Sequence, residues 1–158
     1  MRLSEIVIPG AIVATLSSNS RDEVVHELID ALIAAGAAEK RLRDELIKLV
    51  LEREKRGSTG FGKGVAVPHV KHESAKGVSL AIGLSQSGVD FNALDKQPVY
   101  SVFLLVSPVD APEDHLQAME VIFKNLSVDT FRRFLRQASS VEEVVDLLND
   151  ADSQQISG

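Results

Sequence analysis

Histidine is the side chain in this sequence that is best suited to nucleophilic or proton-transfer chemistry near neutral pH. The 158-residue chain has four histidines and no cysteine, which excludes disulfides, thiolate metal sites and a cysteine nucleophile within it. His69 follows Pro68 and a short apolar run typical of a buried strand. Because proline fixes its own φ and restricts the preceding residue, the backbone is stiff here. We therefore expect a preorganised imidazole at the carboxyl end of a strand, where α/β proteins bind ligands.

The other three histidines differ in what their surroundings indicate. His26 lies among acidic residues on the polar side of a predicted helix and is expected at the surface. His72 stands three residues after His69, and His-x-x-His can bind a metal when both residues share a helix face. Pro68 disfavours a helix there, so we expect no metal. His115 falls in the first turn of a predicted helix, where a capping or core-edge role and a site role both remain open, and where positive charge is disfavoured.

The sequence R-G-S-T-G-F-G-K-G-V-A-V-P-H-V at residues 56–70 resembles a P-loop at first sight. A P-loop needs Ser or Thr after its Gly-Lys pair to hold Mg²⁺, and here Gly64 follows Lys63. A P-loop also follows a strand and opens a helix. Here the pattern predicts a helix before the glycines and a strand after them. We therefore expect no ATP binding and no cofactor.

Two amphipathic helices are predicted before the glycine-rich loop. The first begins with the capping box S-R-D-E at Ser20, and its helical periodicity stops at Gly36. The second covers residues 39–56 and ends at Gly57. Arg53 follows Val50 by three residues, so it continues the apolar stripe of this helix. The sequence thus predicts a cation that is directed inward at the negative end of the helix.

The remaining pattern alternates strands with further helices, which indicates one α/β domain over residues 1–150 and a fraying polar tail at residues 151–158. Strands are predicted at residues 11–16, 65–67, 78–84 and 98–106, and helices from Pro112 and at residues 128–137 and 141–148. Residues 85–97 are predicted to form an irregular connection that could include a short strand near Val89 and Phe91. Asp110 is the candidate cap for the helix at Pro112. The buried stripe of that helix is predicted to contain Leu116, Met119, Phe123 and Leu126.

Composition and charge exclude several classes of partner. The net charge of −6 and the pI near 5.2 argue against nucleic acid, whose phosphates need a basic face. Residues 53–76 nevertheless hold six cations against two anions, which is the pattern of a small anion site in an acidic protein. No apolar run approaches the ~20 residues of a membrane span, and the N-terminus lacks the features of a signal peptide. The sequence therefore predicts a cytoplasmic protein without direct membrane insertion.

The motif L-E-R-E-K-R-G-S-T-G-F-G-K-G-V-A-V-P-H at residues 51–69 closely resembles the signature of a known bacterial family. This family comprises the fructose/mannitol-type enzyme IIA domains of the phosphoenolpyruvate-dependent sugar phosphotransferase system, including nitrogen-regulatory IIA proteins. The resemblance continues through H-L-Q-A-M-E-V-I-F-K-N-L and the helices that follow, so it covers most of the chain. It implies a three-layer α/β/α sandwich in which helices flank a mixed β-sheet.

The resemblance also implies a function and a set of site residues. His69 would accept a phosphoryl group from the histidine-containing phosphocarrier protein, with His115 nearby. Arg53, Ser58 and Thr59 would surround the phosphoryl group, which needs charge-assisted donors. The group would then pass to a IIB domain on another chain, or its presence would act as a signal, and a solitary chain suits the nitrogen-type regulatory role slightly better.

One departure from the family pattern motivates an alternative. Val70 stands after the active histidine, where the family usually has a small residue, and a β-branched side chain there would narrow access. The first alternative is therefore a regulatory protein-binding module of the same fold without phosphotransfer. The second is a metal-dependent hydrolase that uses His69, His72 and His115.

Overall fold

The computed structural model describes residues 1–153, in which a five-stranded mixed sheet carries helices on both faces. The strands are β1 (Val7–Val13), β2 (Val65–Ala66), β3 (His69–His72), β4 (Ser79–Val89) and β5 (Val99–Pro108). The helices are α1 (Leu3–Ile6), α2 (Arg21–Ala34), α3 (Arg43–Arg56, after a 3₁₀ turn at Lys40–Leu42), α4 (Pro112–Leu126), α5 (Asp129–Gln137) and α6 (Val141–Asp152). This arrangement confirms the predicted three-layer α/β/α fold. None of the described helices is long and apolar enough to cross a bilayer.

Strand β5 is the centre of the sheet. It pairs antiparallel with β4, which pairs in parallel with β1, and its other edge carries β2 and β3 in succession, both parallel to it. Val65 pairs with Ser101 and His69 with Leu105, so the register does not shift where Pro68 separates the two short strands. Proline has no N–H to contribute to a ladder, which explains the interruption.

The two faces of the sheet are buried in separate hydrophobic clusters. Leu104 of β5 packs with α2 and α3, whereas its neighbour Leu105 packs with α1 and the three C-terminal helices. Successive side chains of a strand point to opposite faces, so a strand covered on both sides is apolar throughout. This explains why the run of apolar residues that ends at Val106 predicts the central strand correctly.

The helix start at Ser20 is confirmed, since its side chain accepts from the Glu23 amide. Two other local predictions are wrong. Strand β4 extends to Val89, through the first five residues of the segment predicted to be irregular, and its register with β5 shifts between Leu84 and Val89, where Gly88 adopts a φ of +91°. Asp110 does not cap α4; the N-cap residue is Ala111 and makes no side-chain cap, although Pro112 occupies the predicted first turn.

The buried stripe of α4 is also rotated relative to the prediction. Leu116 is 59% exposed and Phe123 is 38% exposed, and of the predicted residues only Leu126 is buried. The residues of α4 that are buried are His115, Ala118, Ile122 and Leu126. The small Ala118 and the β-branched Ile122 pack in the core cluster on this face of the sheet, so the larger Leu116 and Phe123 remain at the surface.

Helix α6 extends past the predicted end of the domain. Ala151 is buried in the core, and the Asp152 carboxylate accepts from the backbone amides of Leu3 at 2.9 Å and Ser4 at 3.0 Å. The C-terminal helix therefore satisfies the first amides of α1. Residues 154–158 of the predicted tail lie outside the described part of the chain.

We expect Asp152→Ala to lower the free energy of unfolding by about 1 kcal/mol, because two amides of α1 lose their acceptor. Urea unfolding of the full chain measures the change. Asp150→Ala is the matched control, since Asp150 is exposed on the same helix. Equal losses in the two variants would show that the link to α1 does not stabilise the fold.

Candidate active site

His69 begins β3 at the edge of the sheet, with a ring whose orientation is fixed by its own backbone. Its Nδ1 lies 2.9 Å from the carbonyl oxygen of Val67. A carbonyl oxygen can only accept, so Nδ1 carries the proton and Nε2 keeps its lone pair. The carbonyl of Val67 is available because the next one, that of Pro68, accepts from the Leu105 amide instead. The backbone around Pro68, which the sequence predicts to be stiff, thus holds the His69 imidazole in one orientation.

His115 is the partner ring. It lies in the first turn of α4, is 9% exposed, and its ring centroid is 5.6 Å from that of His69 at an interplanar angle of 55°. Its Nδ1 is 2.8 Å from Oγ of Ser107, a fully buried residue of β5. Of the two roles that the sequence left open, the geometry favours the site role, because the ring faces His69 rather than capping its helix.

The surroundings keep both imidazoles neutral at pH 7. Burial lowers the pKa of His69 below its usual value of 6.5. The hydrogen bond to Val67 opposes this effect, whereas the positive charges of Arg53 and Lys71 add to it. Burial is also the main cause that lowers the pKa of His115 to about 4, and the positive charge of Lys71 and that of His69, once His69 is protonated at low pH, add to this effect. A neutral imidazole with a free Nε2 is a nucleophile, and an uncharged neighbour does not block that nitrogen by protonating it.

Arg53 lies at the end of α3, half-buried, and its Nη1 donates to the carbonyl oxygen of Gly57 at 2.8 Å. Its charge reaches the site, as its effect on the pKa of His69 shows. The prediction of an inward-pointing cation is wrong in one respect. The charged residue in the buried stripe of α3 is its neighbour Glu54, which is 3% exposed and continues from Val50 by four residues.

Ser58 and Thr59 shape the loop between α3 and β2. The Ser58 hydroxyl donates to the carbonyl oxygen of Phe91 at 2.7 Å and accepts from the Gly60 amide at 3.0 Å. The Thr59 hydroxyl donates to the Glu54 carboxylate, and the Thr59 amide donates to its other oxygen at 3.1 Å. Both hydroxyl hydrogens are therefore directed at protein acceptors in this conformation.

Lys71 is a candidate site residue that the sequence reasoning counted among the six cations of residues 53–76 but did not single out. It is exposed, stands two residues after His69 in β3 and so shares its sheet face, and it pairs with Ser107, the partner of His115. The sequence signal was the spacing of two residues between His69 and Lys71, which places both side chains on one face of a strand. It was overlooked because no strand was predicted after Pro68, where polar residues follow.

His72 and Val70 lie on the opposite face of β3. His72 Nδ1 accepts from the Ser74 amide at 3.0 Å, so its Nε2 carries the proton and donates to the Glu45 carboxylate. This excludes a metal set made of His69, His72 and His115, and residues 1–153 contain no other group of three or more potential ligands. Val70 is buried against α2 and α3, so it does not narrow the approach to His69.

The glycine-rich loop follows α3 and leads into β2, the reverse of the P-loop order. Gly62, Lys63 and Gly64 adopt positive φ values of 116°, 63° and 76° and form a tight turn. The Lys63 amide donates to the carboxylate of Asp95 at 3.2 Å. In a P-loop such an amide would face a phosphate, so the geometry gives no support for nucleotide binding.

Comparison with known proteins decides the family. The family model described as "Phosphoenolpyruvate-dependent sugar phosphotransferase system, EIIA 2" matches residues 5–151. The chain belongs to this EIIA family. The resemblance inferred from the motif at residues 51–69 is thereby confirmed, and the family comprises components of phosphoryl transfer in the sugar phosphotransferase system.

Relatives of this EIIA domain include both sugar-specific and regulatory proteins. The chain is 31% identical over 152 residues to the "PTS system fructose-specific EIIABC component" of Bacillus subtilis, and the match covers 96% of this chain but only 24% of that one. It is 33% identical over 150 residues to a "Nitrogen regulatory protein" of Bradyrhizobium diazoefficiens, covering 94% and 95% of the two chains. The crystal structure of nitrogen regulatory protein IIA-Ntr from Neisseria meningitidis matches with a TM-score of 0.83 at 30% identity, covering 92% of this chain and 98% of that one.

We expect both site imidazoles of this EIIA domain to titrate at a lower pH in the folded chain than in the unfolded chain. NMR of the ring nitrogens should place the midpoint for His115 near pH 4 and that for His69 below 6.5, whereas in urea both should move to ~6.5. The unfolded chain then binds more protons than the folded one as pH falls from about 6.5 towards 4, so stability should fall over that range. A midpoint for His115 at or above 6.5 would contradict the burial described here.

Proposed function

We propose that this protein is a phosphohistidine carrier in which His69 accepts a phosphoryl group from the histidine-containing phosphocarrier protein. The observation that carries the proposal is the neutral His69 ring, fixed through Nδ1 by the Val67 carbonyl and 5.6 Å from the ring of His115. Membership of the EIIA family supports phosphoryl transfer in general, and the ring geometry supports Nε2 as the atom that receives the group.

Transfer of the phosphoryl group to His69 requires no proton transfer. The Nε2 lone pair of His69 forms a bond to phosphorus as the phosphorus–nitrogen bond of the donor breaks, and the electron pair of that bond stays on the donor ring. The phosphorylated His69 ring becomes cationic because it retains its Nδ1 proton. The Val67 carbonyl, which already accepts from Nδ1, stabilises this charged ring.

The arriving group carries roughly two negative charges, so the transfer needs positive or donating neighbours. Arg53 and Lys71 supply the charge, since both already act on His69. The Ser107 hydroxyl can donate to Nδ1 of His115, which leaves the N–H of His115 on Nε2 as a neutral donor. Ser58 and Thr59 hold the loop around the group, and either hydroxyl would donate to it only after leaving its present acceptor.

The carrier needs a docking surface beside His69, and the exposed apolar side of α4 supplies one. Leu116 follows His115 directly, and Phe123 lies two turns along the helix with its ring 4.9 Å from that of Phe61. We propose that the phosphocarrier protein covers this apolar strip, because it continues from the histidine pair. Glu113 and Glu120 are exposed on the same helix, at helical spacing from Leu116 and Phe123, and suit a partner with a basic face.

After transfer, the phosphoryl group passes to a IIB acceptor on another chain, or its presence signals to a regulated target protein. The longer relative named as an EIIABC component supports an acceptor of the IIB type. The two nitrogen regulatory proteins described above, which match over nearly their whole length, support the regulatory role. The binding-module alternative loses its motivation, because Val70 faces away from His69.

We expect incubation with phosphoenolpyruvate, enzyme I and the phosphocarrier protein to add one phosphoryl group, measured by intact mass. The adduct should be labile in acid and stable in base, as a phosphoramidate is. His69→Ala should abolish labelling, whereas His26→Ala on the exposed side of α2 should not. Efficient labelling of the His69→Ala variant would remove the proposed acceptor, and no labelling of the wild-type chain would favour the binding module.

We expect Arg53→Met to slow single-turnover transfer from the phosphorylated carrier by about a hundredfold or more, because one charged donor leaves the site. Methionine keeps much of the apolar stem, so packing should change little. Lys55→Met, an exposed cation on the same helix, is the control. If the transfer rate is unchanged and only the melting temperature falls, Arg53 stabilises the end of α3 through its hydrogen bond to Gly57, and its proposed role in stabilising the phosphoryl group is wrong.

A further inference from the structure

Glu54 is a buried carboxylate beside the candidate site for which the transfer step above has no use. It is 3% exposed, and its two oxygens accept from the amide and the hydroxyl of a single residue, Thr59. None of the ion pairs formed within residues 1–153 includes it. A carboxylate buried without a cation is costly for the fold.

Holding the loop does not by itself require this charge. A neutral acceptor could bind the Thr59 amide without burying an anion, so the negative charge needs a separate explanation. The charge of Glu54 acts on His69, where it raises the pKa of the ring against the effects of burial and of Arg53. The geometry agrees: Thr59, which Glu54 binds, accepts from the Val67 amide through its carbonyl oxygen at 3.3 Å, and the Val67 carbonyl in turn binds Nδ1 of His69.

A phosphoryl carrier must release the group as readily as it accepts it. Arg53 and Lys71 attract the group, and without an opposing charge they would favour the phosphorylated state over any acceptor. A fixed anion nearby repels the dianion and lowers this preference. Glu54 also keeps the Thr59 hydroxyl directed at itself, so that this donor does not add to the attraction.

We propose that Glu54 is a positioning residue that keeps phosphoryl transfer reversible, by repelling the group on His69 and by holding the Thr59 hydroxyl away from it. This inference rests on the proposed function. In the release step the bond between Nε2 and phosphorus breaks, its electron pair returns to Nε2, and a new bond forms to the acceptor nucleophile. Glu54 makes that release easier without touching the reacting atoms.

The test is the equilibrium of phosphoryl exchange with the phosphocarrier protein. After phosphoenolpyruvate is removed, intact mass gives the phosphorylated fraction of both proteins. Glu54→Gln should shift the exchange constant about tenfold towards the phosphorylated form of this chain, because a repelling charge is removed. The phosphorylated variant should also hydrolyse more slowly than the wild-type protein. Glu52→Gln, which removes an exposed carboxylate from the same helix, should leave both quantities unchanged.

A purely structural role predicts a different pattern. If Glu54 only holds the loop, Glu54→Gln and Thr59→Val should slow transfer in both directions alike and leave the exchange constant unchanged, which would overturn the proposal. Glu54→Asp, which keeps the charge, should remain near the wild-type constant. Glu54→Met is the second neutral variant, because apolar residues of similar volume commonly replace buried charges without loss of folding. If neither neutral variant folds, the charge serves the fold and the proposal is wrong.

The wild-type protein separates this inference from the proposed function. If the wild-type chain is not phosphorylated at His69, the proposed function fails. If it is phosphorylated and the Glu54→Gln variant shows the wild-type exchange constant, only the inference about Glu54 fails.

Discussion

The pairing of residues 65–72 with the central strand β5 is the constraint on which the site depends. Both β2 and β3 keep one register along β5, although Pro68 interrupts the ladder between them. The Pro68 carbonyl accepts the Leu105 amide, which leaves the Val67 carbonyl to bind Nδ1 of His69. The same register places Lys71 opposite Ser107, and Ser107 binds His115. One pairing therefore sets the tautomer of the first ring and brings the second ring to it.

The charged residues around the pair of rings are two cations, Arg53 and Lys71, and one buried anion, Glu54. Two cations and two neutral imidazoles suit an arriving dianion, whereas Glu54 opposes them from a buried position. Such a balance fits a site that holds a group only in passing, since tight binding of the phosphorylated state would slow its release. The glycine-rich loop contributes by connecting α3 to β2, so that Arg53, Glu54 and Thr59 lie beside the edge strand. Its resemblance to a P-loop is limited to composition.

Much of the fold could be predicted from the sequence because the signals were local. The capping box at Ser20, the glycine after α3 and the apolar run of β5 each determine one element with little ambiguity. His69 could be singled out as a candidate because Pro68 makes its backbone stiff. The position of His115 beside it could be expected only from the family resemblance, because it depends on how β5 leads into α4.

The predictions that failed depend on tertiary packing. On α3, helical spacing from Val50 allows either Arg53 or Glu54 to be the last buried residue of the apolar stripe. Glu54 is the one that is buried, because its carboxylate accepts hydrogen bonds from Thr59. On α4 the sheet selects Ala118 and Ile122, so bulky Leu116 and Phe123 stay outside. Lys71 was not singled out because a strand as short and polar as β3 forms only through its pairing with β5.

The central claim is that His69 receives the phosphoryl group on Nε2 while Nδ1 keeps its proton and its bond to Val67. The direct test is to measure, by NMR of the phosphorylated chain with ¹⁵N in its imidazoles, which ring nitrogen is coupled to ³¹P. The account predicts that the ³¹P coupling appears on Nε2 of His69 and that Nδ1 remains protonated. Coupling to Nδ1 of His69, or to either nitrogen of His115, would contradict it.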